Sequence, residues 1–595
     1  MRPIFAIPGY TVIAITGVLS LVWLRKSRPL PNVLCLVSSA LFFGYILGRA
    51  YLSPVEYVSR PDRFEVLACL VVYLVVACFL TDPKHRMLFL GLFMALAIGH
   101  VIVGVIQFVK GENYLPFNYL RADYGRRASG FYVCPNHFAG LLEILVVAAA
   151  SFAVFGRIGT KCRMLLLYFA LVALAGLAIS GSRGGYLSTG CAFLVLLVLG
   201  LSVARQTMPV RFPTVATLSV AVCIGVLGLS VFLINKDELL ADRLGTTLQF
   251  TNMRTYLWDA AMRQFHDNPV FGTGSGTYYY LGRLYKHPAV EPDPVWVHND
   301  YIHLLAEYGV TGAVLAAFFL GTHVFYGLLS MRVILRKRLL ETNAATSNSM
   351  ALNLAALAGV TAMIAHSVVD FNLHIPGNAL VLAILFGILA NPPQAREKAG
   401  SGDRKTLKYL PWRILPAVCG VALLFDATPH IPGEWYAERA RVALRDKNYR
   451  QASREAQLGL KYEQGDPNLF YYFGEAKRLL GLSFSNPKVV QVMSEEAVGQ
   501  FSRAIVLFPQ EEKFWIKRSQ ALDILGRHAE ARRDLDSAFA LDPNQLALHT
   551  YLGAHYQIQG KRDEALREYQ LASRHEAAAA GIESVLQQIK GDAAK

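Results

Sequence analysis

A chain of 595 residues with 54% hydrophobic and 17% charged residues and a mean hydropathy of +0.34 is too apolar for an ordinary soluble globule. Its net charge of +15 does not signal nucleic acid, because most Lys and Arg fall in short connections between apolar runs, where they set membrane orientation. The eight cysteines lie mostly inside those runs, as at Cys35, Cys69, Cys78 and Cys191, and give neither a metal spacing nor a disulfide framework.

Apolar runs of roughly 18–22 residues, each long enough to cross ~30 Å of hydrocarbon, recur from the start of the chain. About twelve spans are expected, near 5–24, 31–51, 64–81, 87–109, 136–156, 164–180, 186–204, 213–234, 308–331, 351–371, 377–391 and 412–428. The first ends in Arg-Lys-Ser-Arg with no small-residue cleavage site, so it reads as a retained span. Basic connections at Arg25/Lys26/Arg28, Lys84/Arg86, Arg157/Lys161/Arg163, Arg205/Arg211, Arg332/Arg336/Lys337/Arg338 and 393–413 alternate, which marks their side as cytoplasmic. The opposite side then receives the N-terminus, the loops 52–63, 110–135, 181–185, 235–307 and 372–376, and everything after about residue 429.

The outward segments carry the polar residues of interest. Arg127 lies beside Gly130 ahead of the fifth span, and Asn136 is placed to cap that helix. Ser-Gly-Ser-Arg-Gly-Gly at 180–185 sets Arg183 among Gly181, Gly184 and Gly185; bare backbone there would let a phosphate approach the guanidinium, although an arginine at a membrane boundary can also simply snorkel. Early in the large loop 235–307, Arg254 and Trp258 stand i and i+4, on one face of a helix, which also fits an interfacial anchor. Glu291-Pro-Asp293 is a weak pair of acids for a cation.

The loop ends in Trp-Val-His-Asn-Asp-Tyr-Ile-His at 296–303 and runs straight into the ninth span. Asn299 or Asp300 can cap the incoming helix, which holds His298 at its mouth next to Tyr301. An imidazole changes charge near neutral pH and so suits a general base. His298 and His303 are five apart, about 140° around a helix, and do not make the metal face of an i, i+4 pair; no metal and no other cofactor is expected. After the tenth span, His366, Asp370 and His374 recur at four-residue spacing and are expected on one helical face. Asp370 is expected to turn inward to an arginine, since a lipid-facing acid is costly.

Beyond the last span the composition becomes charged and Ala-rich. Leu-Phe-Pro509 and Leu-Asp-Pro543 stand 34 residues apart, each followed by a turn glycine (Gly526, Gly560) and an alanine (Ala531, Ala565), which is the tetratricopeptide pattern. An earlier copy runs from about 433, and the unit between Pro467 and Pro509 holds extra residues near 482–492, giving roughly three to four repeats. The expected fold class is therefore all-α: a polytopic membrane domain over 1–429 and a soluble α-solenoid over 430–595, docking a periplasmic protein partner or the acceptor. No Gly-x-x-x-x-Gly-Lys-Ser/Thr loop signals nucleotide hydrolysis.

The segments Arg127-x-x-Gly130 through Pro-Asn136, Ser-Arg183-Gly, Arg254-x-x-x-Trp258, the loop-ending His298 and Asp370-Phe resemble, in order, those of the bacterial O-antigen ligase and O-antigen polymerase superfamily, over about residues 90–395. That resemblance implies an inverting glycosyltransferase of the inner membrane, working on the periplasmic side in cell-surface polysaccharide or lipopolysaccharide synthesis. Its donor is a glycan on undecaprenyl diphosphate and its acceptor a hydroxyl on a glycan, lipid or protein. His298 would be the catalytic base, Arg183, Arg254 and Arg127 the diphosphate ligands, with Trp258, Asp300, Tyr301, His303 and Asp370 in support. The outward repeat domain departs from the ligase pattern, so ligase, polymerase and protein oligosaccharyltransferase all stand. From another class, a flippase for polyprenyl-linked sugars would use the same arginines only for binding. A scaffold built around the repeats is a third reading.

Overall fold

A computed structural model describes residues 3–24, 29–111, 113–115, 119–120, 124–214, 252–290, 295–341, 346–392 and 409–573, with scattered residues between 216 and 242. The membrane domain consists of α1 (Pro3–Leu19), α2 (Val33–Tyr51), α3 (Glu56–Cys78), α4 (Pro83–Lys110), α5 (Pro135–Phe155), α6 (Thr160–Ser180) and α7 (Arg183–Thr207). Then come α8 (Asn252–Asp267) and the short α9 (Tyr278–Leu284) in the large loop. The long α10 (Asp300–Glu341), α11 (Asn348–His366), α12 (Pro376–Ala390) and α13 (Leu410–Ala427) complete it. A ladder of two residues per strand, β1 (Tyr114–Leu115) with β2 (Tyr119–Leu120), is the only sheet among the described residues.

Among the described residues, nine helical stretches are long and apolar enough to cross a membrane. Three of the twelve expected spans are missing from that set, each for its own reason. The run 213–234 lies mostly outside the described residues, and Arg25 to Arg28 and Glu291 to Asp293 lie wholly outside them. The run 64–81 belongs to α3, whose opening turns carry Glu56, Arg60, Asp62, Arg63 and Glu65. The run 377–391 is α12, of 15 residues and hence about 22 Å long. It is enclosed by neighbouring helices and so need not match the bilayer.

Two helices form the centre. The apolar windows of α5 and α11 are 83% and 78% buried, whereas that of α10 is 22% buried. Both central helices are mostly apolar on all sides and rich in Ala and Leu, so other helices approach them closely from every side. Arg86, expected as a cytoplasmic loop charge, is instead buried and donates to the carbonyls of Leu80, Val76 and Asn391, which stitches α3, α4 and the end of α12 together.

The entry of α10 is bent at Gly309, where φ is 65° and ψ is −170°. The bend releases the carbonyls of Ala306 and Glu307 to accept from the amides of Thr273 (3.1 Å) and Gly274 (2.9 Å), while Val310 and Thr311 donate to Pro269 and Val270 at 2.8 and 3.1 Å. A Cβ on Gly309 would lie 2.5 Å from the Val270 oxygen, and one on Gly272 would lie 2.3 Å from the Glu307 carbonyl. Glycine at both positions is therefore what allows the loop after α8 to lie against the helix.

Four helix pairs follow: α14 (Ile431–Arg445) with α15 (Tyr449–Gly459), α16 (Pro467–Gly481) with α17 (Pro487–Leu507), α18 (Glu512–Ile524) with α19 (His528–Leu541), and α20 (Leu548–Ile558) with α21 (Arg562–Ala572). The extra residues near 482–492 lengthen α17 to 21 residues. Ala440, Ala452, Ala456, Ala476, Ala497, Ala521, Ala531 and Ala565 are buried where helices cross, and Gly526 and Gly560, both at φ 73°, turn the third and fourth hairpins.

The solenoid does not hang free. Its loop edge grips the membrane domain's own chain. Val55 and Tyr280 pack with Ala504, Ile505, Phe508 and Phe514. Arg283, 2% exposed, pairs with Glu512 and, at 3.5 Å, with Glu511. Lys286 meets Asp542 at 2.7 Å, both buried, and Asn544 donates to the Lys286 carbonyl at 2.8 Å. Arg60 bridges Glu56 and Glu463, and Arg63 bridges Glu56 and Asp426. The opening turns of α3 thus reach the repeats through Arg60 and Glu463, while Arg63 ties them to the end of α13.

Candidate functional site

Asp370 is the hub on which the predicted residues converge. Its Oδ1 lies 3.4 Å from His298 Nδ1, a contact longer than a normal hydrogen bond, and its Oδ2 lies 3.7 Å from an Nη of Arg254. Asn136 Nδ2 donates to Oδ2 at 2.5 Å, and the amide of Phe371 donates to Oδ1 at 2.9 Å. Burial works to raise the Asp370 carboxyl, but the imidazole of His298 and the guanidinium of Arg254 outweigh it and hold it well below the usual carboxylate range. The site therefore has a fixed negative charge with one imidazole and one guanidinium facing it.

Local sequence explains how each group is presented. His298 adopts φ 54°, left-handed and unusual for a residue with a Cβ, immediately before α10. Asn299 caps that helix, its Oδ1 accepting from Tyr301 and Ile302 at 3.0 and 3.1 Å. Arg254 and Trp258 share a face of α8, and the Trp258 indole reaches the His298 carbonyl at 3.4 Å. The His298 ring stands edge-on to Phe371 with centroids 4.7 Å apart, so Phe371 braces the ring while Trp258 holds the main chain.

The expected single face for His366, Asp370 and His374 does not form. The helix ends at His366, a turn follows, and 372–374 is a single turn of 3-10 helix, which sends the three side chains to different partners. His366 Nδ1 meets Glu143 at 3.0 Å, and Ser188 also donates to that carboxylate. His374 Nδ1 meets Asp300 at 3.0 Å. Asn136 does not cap α5 but joins Asp370 to Arg127, whose Nη2 donates to Asn136 Oδ1 at 2.9 Å and whose Nε donates to the Ser180 carbonyl at 2.9 Å. Arg127 is 9% exposed, so the structure uses it as a strut between two loops.

The glycines around Arg183 also differ from expectation. A Cβ on Gly181 would stand 3.2 Å from Arg127 Nε, one on Gly184 2.9 Å from the His366 ring and one on Gly185 2.8 Å from Ala139. They admit neighbouring elements instead of leaving backbone bare for a phosphate. Arg183 itself is half-buried at the start of α7, and Ser182 caps that helix by accepting from Gly185 at 3.2 Å.

His303, Glu307, Asp62 and Glu65 complete the surroundings. His303 Nε2 lies 3.3 Å from Glu307, whose other contacts are the amides of Gly276 and Tyr278 at 3.0 and 2.9 Å. Trp296 stacks on Phe371, and His303 stacks on His374 with centroids 4.4 Å apart. Tyr301 donates to the Ile364 carbonyl at 2.8 Å. Behind this wall lies a cavity of about 440 Å³, lined mostly by apolar side chains such as Phe42, Phe319 and Phe386, with Asp62, Glu65, Asp300, His303 and His374 among them. The sequence reading passed over Glu143 and Glu307; an acid inside an apolar run was the available signal for both.

Burial lowers the His374 imidazole, but the hydrogen bond and charge of Asp300 and the charges of Asp62 and Glu65 outweigh it and raise it to about 9. A value raised on folding adds stability that is complete below the ordinary imidazole value, about 6.5, and is lost as pH climbs through the folded value. Asp300→Asn is therefore expected to lower the melting temperature more near pH 6 than near pH 9.5. An equal loss at both would remove the charge from the explanation.

Residues 167–317 match the family model described as O-Antigen ligase, a narrower stretch than the 90–395 of the motif resemblance; it contains Arg183, Arg254, Trp258, His298, Asp300, Tyr301 and His303. No curated protein matches the chain. Among solved structures the chain is similar to a thermophilic TPR protein of Thermus thermophilus (18% identity, 31% of this chain and 95% of that one, TM-score 0.25). It is also similar to MamA (17% identity, 30% and 98%, TM-score 0.21) and to yeast Tom70 (13% identity, 73% and 92%, TM-score 0.19).

Proposed function

We propose, with the O-antigen ligase segment at 167–317 as premise, that the protein is an inverting glycosyltransferase of the bacterial inner membrane. It moves a glycan from undecaprenyl diphosphate to an acceptor hydroxyl on the periplasmic side, where the repeat domain also lies. The observation that carries this reading is the convergence of His298 and Arg254 on the buried Asp370. A base oriented by a carboxylate and a cation beside it are the two things that sugar transfer from a diphosphate needs.

In this mechanism His298 takes the proton of the acceptor hydroxyl as its oxygen attacks C1 of the donor sugar. The bond between C1 and the diphosphate oxygen breaks from the opposite face, and its electrons leave on the diphosphate. Arg183 and Arg254 meet the charge that develops there through charge-assisted hydrogen bonds, strengthened where water is scarce. Arg127 supports the arginine side through Asn136 and Ser180. The arginines supply the counter-charge, so the reaction proceeds without a metal.

The test uses purified protein in detergent, undecaprenyl-diphosphate glycan and three acceptors offered separately: lipid A core, a second lipid-linked unit and a periplasmic protein. Product is expected on one of them, which chooses among ligase, polymerase and protein oligosaccharyltransferase, and it is expected to vanish in folded Arg183→Ala. Transfer at the wild-type rate in that variant overturns the clamp. No product on any acceptor overturns the enzyme in favour of a flippase.

A further inference from the structure

The repeat domain holds a cluster of metal-type ligands that sugar transfer does not use. Asp523 lies in the last turn of α18, His528 opens α19 and His555 lies on α20, so consecutive helices of two repeats each contribute one residue. Asp523 Oδ1 is 2.9 Å from Nδ1 of His528, and His555 Nδ1 is 2.9 Å from both Asp523 oxygens. One ligand atom from each residue lies within 4.8 Å of the others. Asp523 and His555 are 6% and 3% exposed, whereas the His528 side chain is 35% exposed, so the cluster has one wet side.

Three features favour a shared cation over a pair of hydrogen bonds. Ligand atoms held at about 2.0–2.2 Å by one ion stand roughly 2.8–3.6 Å apart for angles between about 90° and the tetrahedral value, and the observed 2.9 Å separations fall within that range. A nitrogen equidistant from both carboxylate oxygens is poorly placed for one linear N–H bond, yet well placed to share an ion with them. The third feature is an outer partner. The Gln559 amide reaches His555 Nε2 at 2.7 Å; with its oxygen turned to that position it accepts from Nε2–H and leaves the Nδ1 lone pair for metal.

We propose that Asp523, His528 and His555 form a three-ligand site for a divalent transition metal of the zinc type, with a fourth position open to water beside His528. Two imidazoles and a single carboxylate suit zinc, whereas calcium and magnesium demand an oxygen-rich shell. The ion ties the third helix pair to the fourth. It also steadies α19, which begins at His528 and ends beside Asp542, the residue that holds Lys286.

The test uses full-length protein in detergent, purified on a tag without histidine, stripped with EDTA, equilibrated with zinc chloride and freed of unbound metal. Wild type is expected to retain about one more zinc per chain than His528→Ala, with affinity falling at least about tenfold in the variant. Zinc is also expected to raise the melting temperature of wild type and not that of the variant. His528 is the chosen position because it is partly exposed, so its loss leaves the repeat packing in place; Asp523→Asn serves as a second variant, and its zinc content must fall likewise. Equal zinc content in wild type and both variants, or a melting temperature that zinc raises equally in all, overturns the proposal and leaves the cluster a hydrogen-bonded turn.

Discussion

His298→Ala is expected to slow transfer by about 10²–10⁴-fold at saturating donor, the range that a positioned base contributes. The donor KM is expected to change little, because the proposed mechanism gives its binding to the arginines. Asp370→Asn is expected to lose on the order of 10²-fold, since it keeps the size of the side chain but removes the charge that His298 and Arg254 both face. The check is single-turnover transfer of labelled glycan, with melting curves to show that each variant is folded. If either folded variant works near the wild-type rate, the base assignment fails, and with it the case for Asp370 as its positioning residue.

The second large effect concerns stability. Asp542→Ala is expected to cost up to about 3–5 kcal/mol, because it removes the carboxylate facing a buried ammonium and leaves the desolvation of Lys286 uncompensated. Restoring complementarity with Lys286→Met in the Asp542→Ala background is expected to recover most of the loss. The measurement is the midpoint of thermal unfolding in detergent, followed by transfer rates. The segment 278–287 leads by way of Trp296 to His298, and Tyr256 on α8 stacks on His287 at 3.9 Å, so loosening this grip is also expected to lower activity. A double variant no more stable than the single one would show that the loss comes from the missing Asp542 side chain and not from the stranded charge.

Local patterns were readable and distant pairings were not. The i, i+4 placement of Arg254 and Trp258, the Asn299 cap and the helix pairs of the solenoid all follow from periodicity within one turn or one repeat. The inward turn of Asp370 to an arginine also followed, from the cost of exposing an acid to lipid. Which arginine, and the joining of His298, depend on segments that meet only after α8, α10 and α11 pack. The failed helical face at 366–374 shows the limit of spacing arguments: no proline or glycine lies between His366 and His374, yet the helix stops there. The glycines at 181–185 mark a close approach, as small residues should, but sequence cannot tell a ligand from a neighbouring helix. The docking of the solenoid edge was invisible for a related reason. Arg283, Lys286, Glu512 and Asp542 each look like ordinary surface charges until both surfaces are in place.

The left-handed backbone at His298 bears on how this position is best probed. Any substituted residue inherits that conformation, and a Cβ makes it costly, so glycine is the replacement the main chain accepts most readily. Removing the ring also opens a slot bounded by Phe371 and Asp370 with the outline of the lost heterocycle. A His298→Gly protein is thus a receptor for a small diffusible base. Turnover revived by added imidazole, and not by a non-basic ring of the same size, would separate the proton-transfer duty of the side chain from everything else the residue does for the fold.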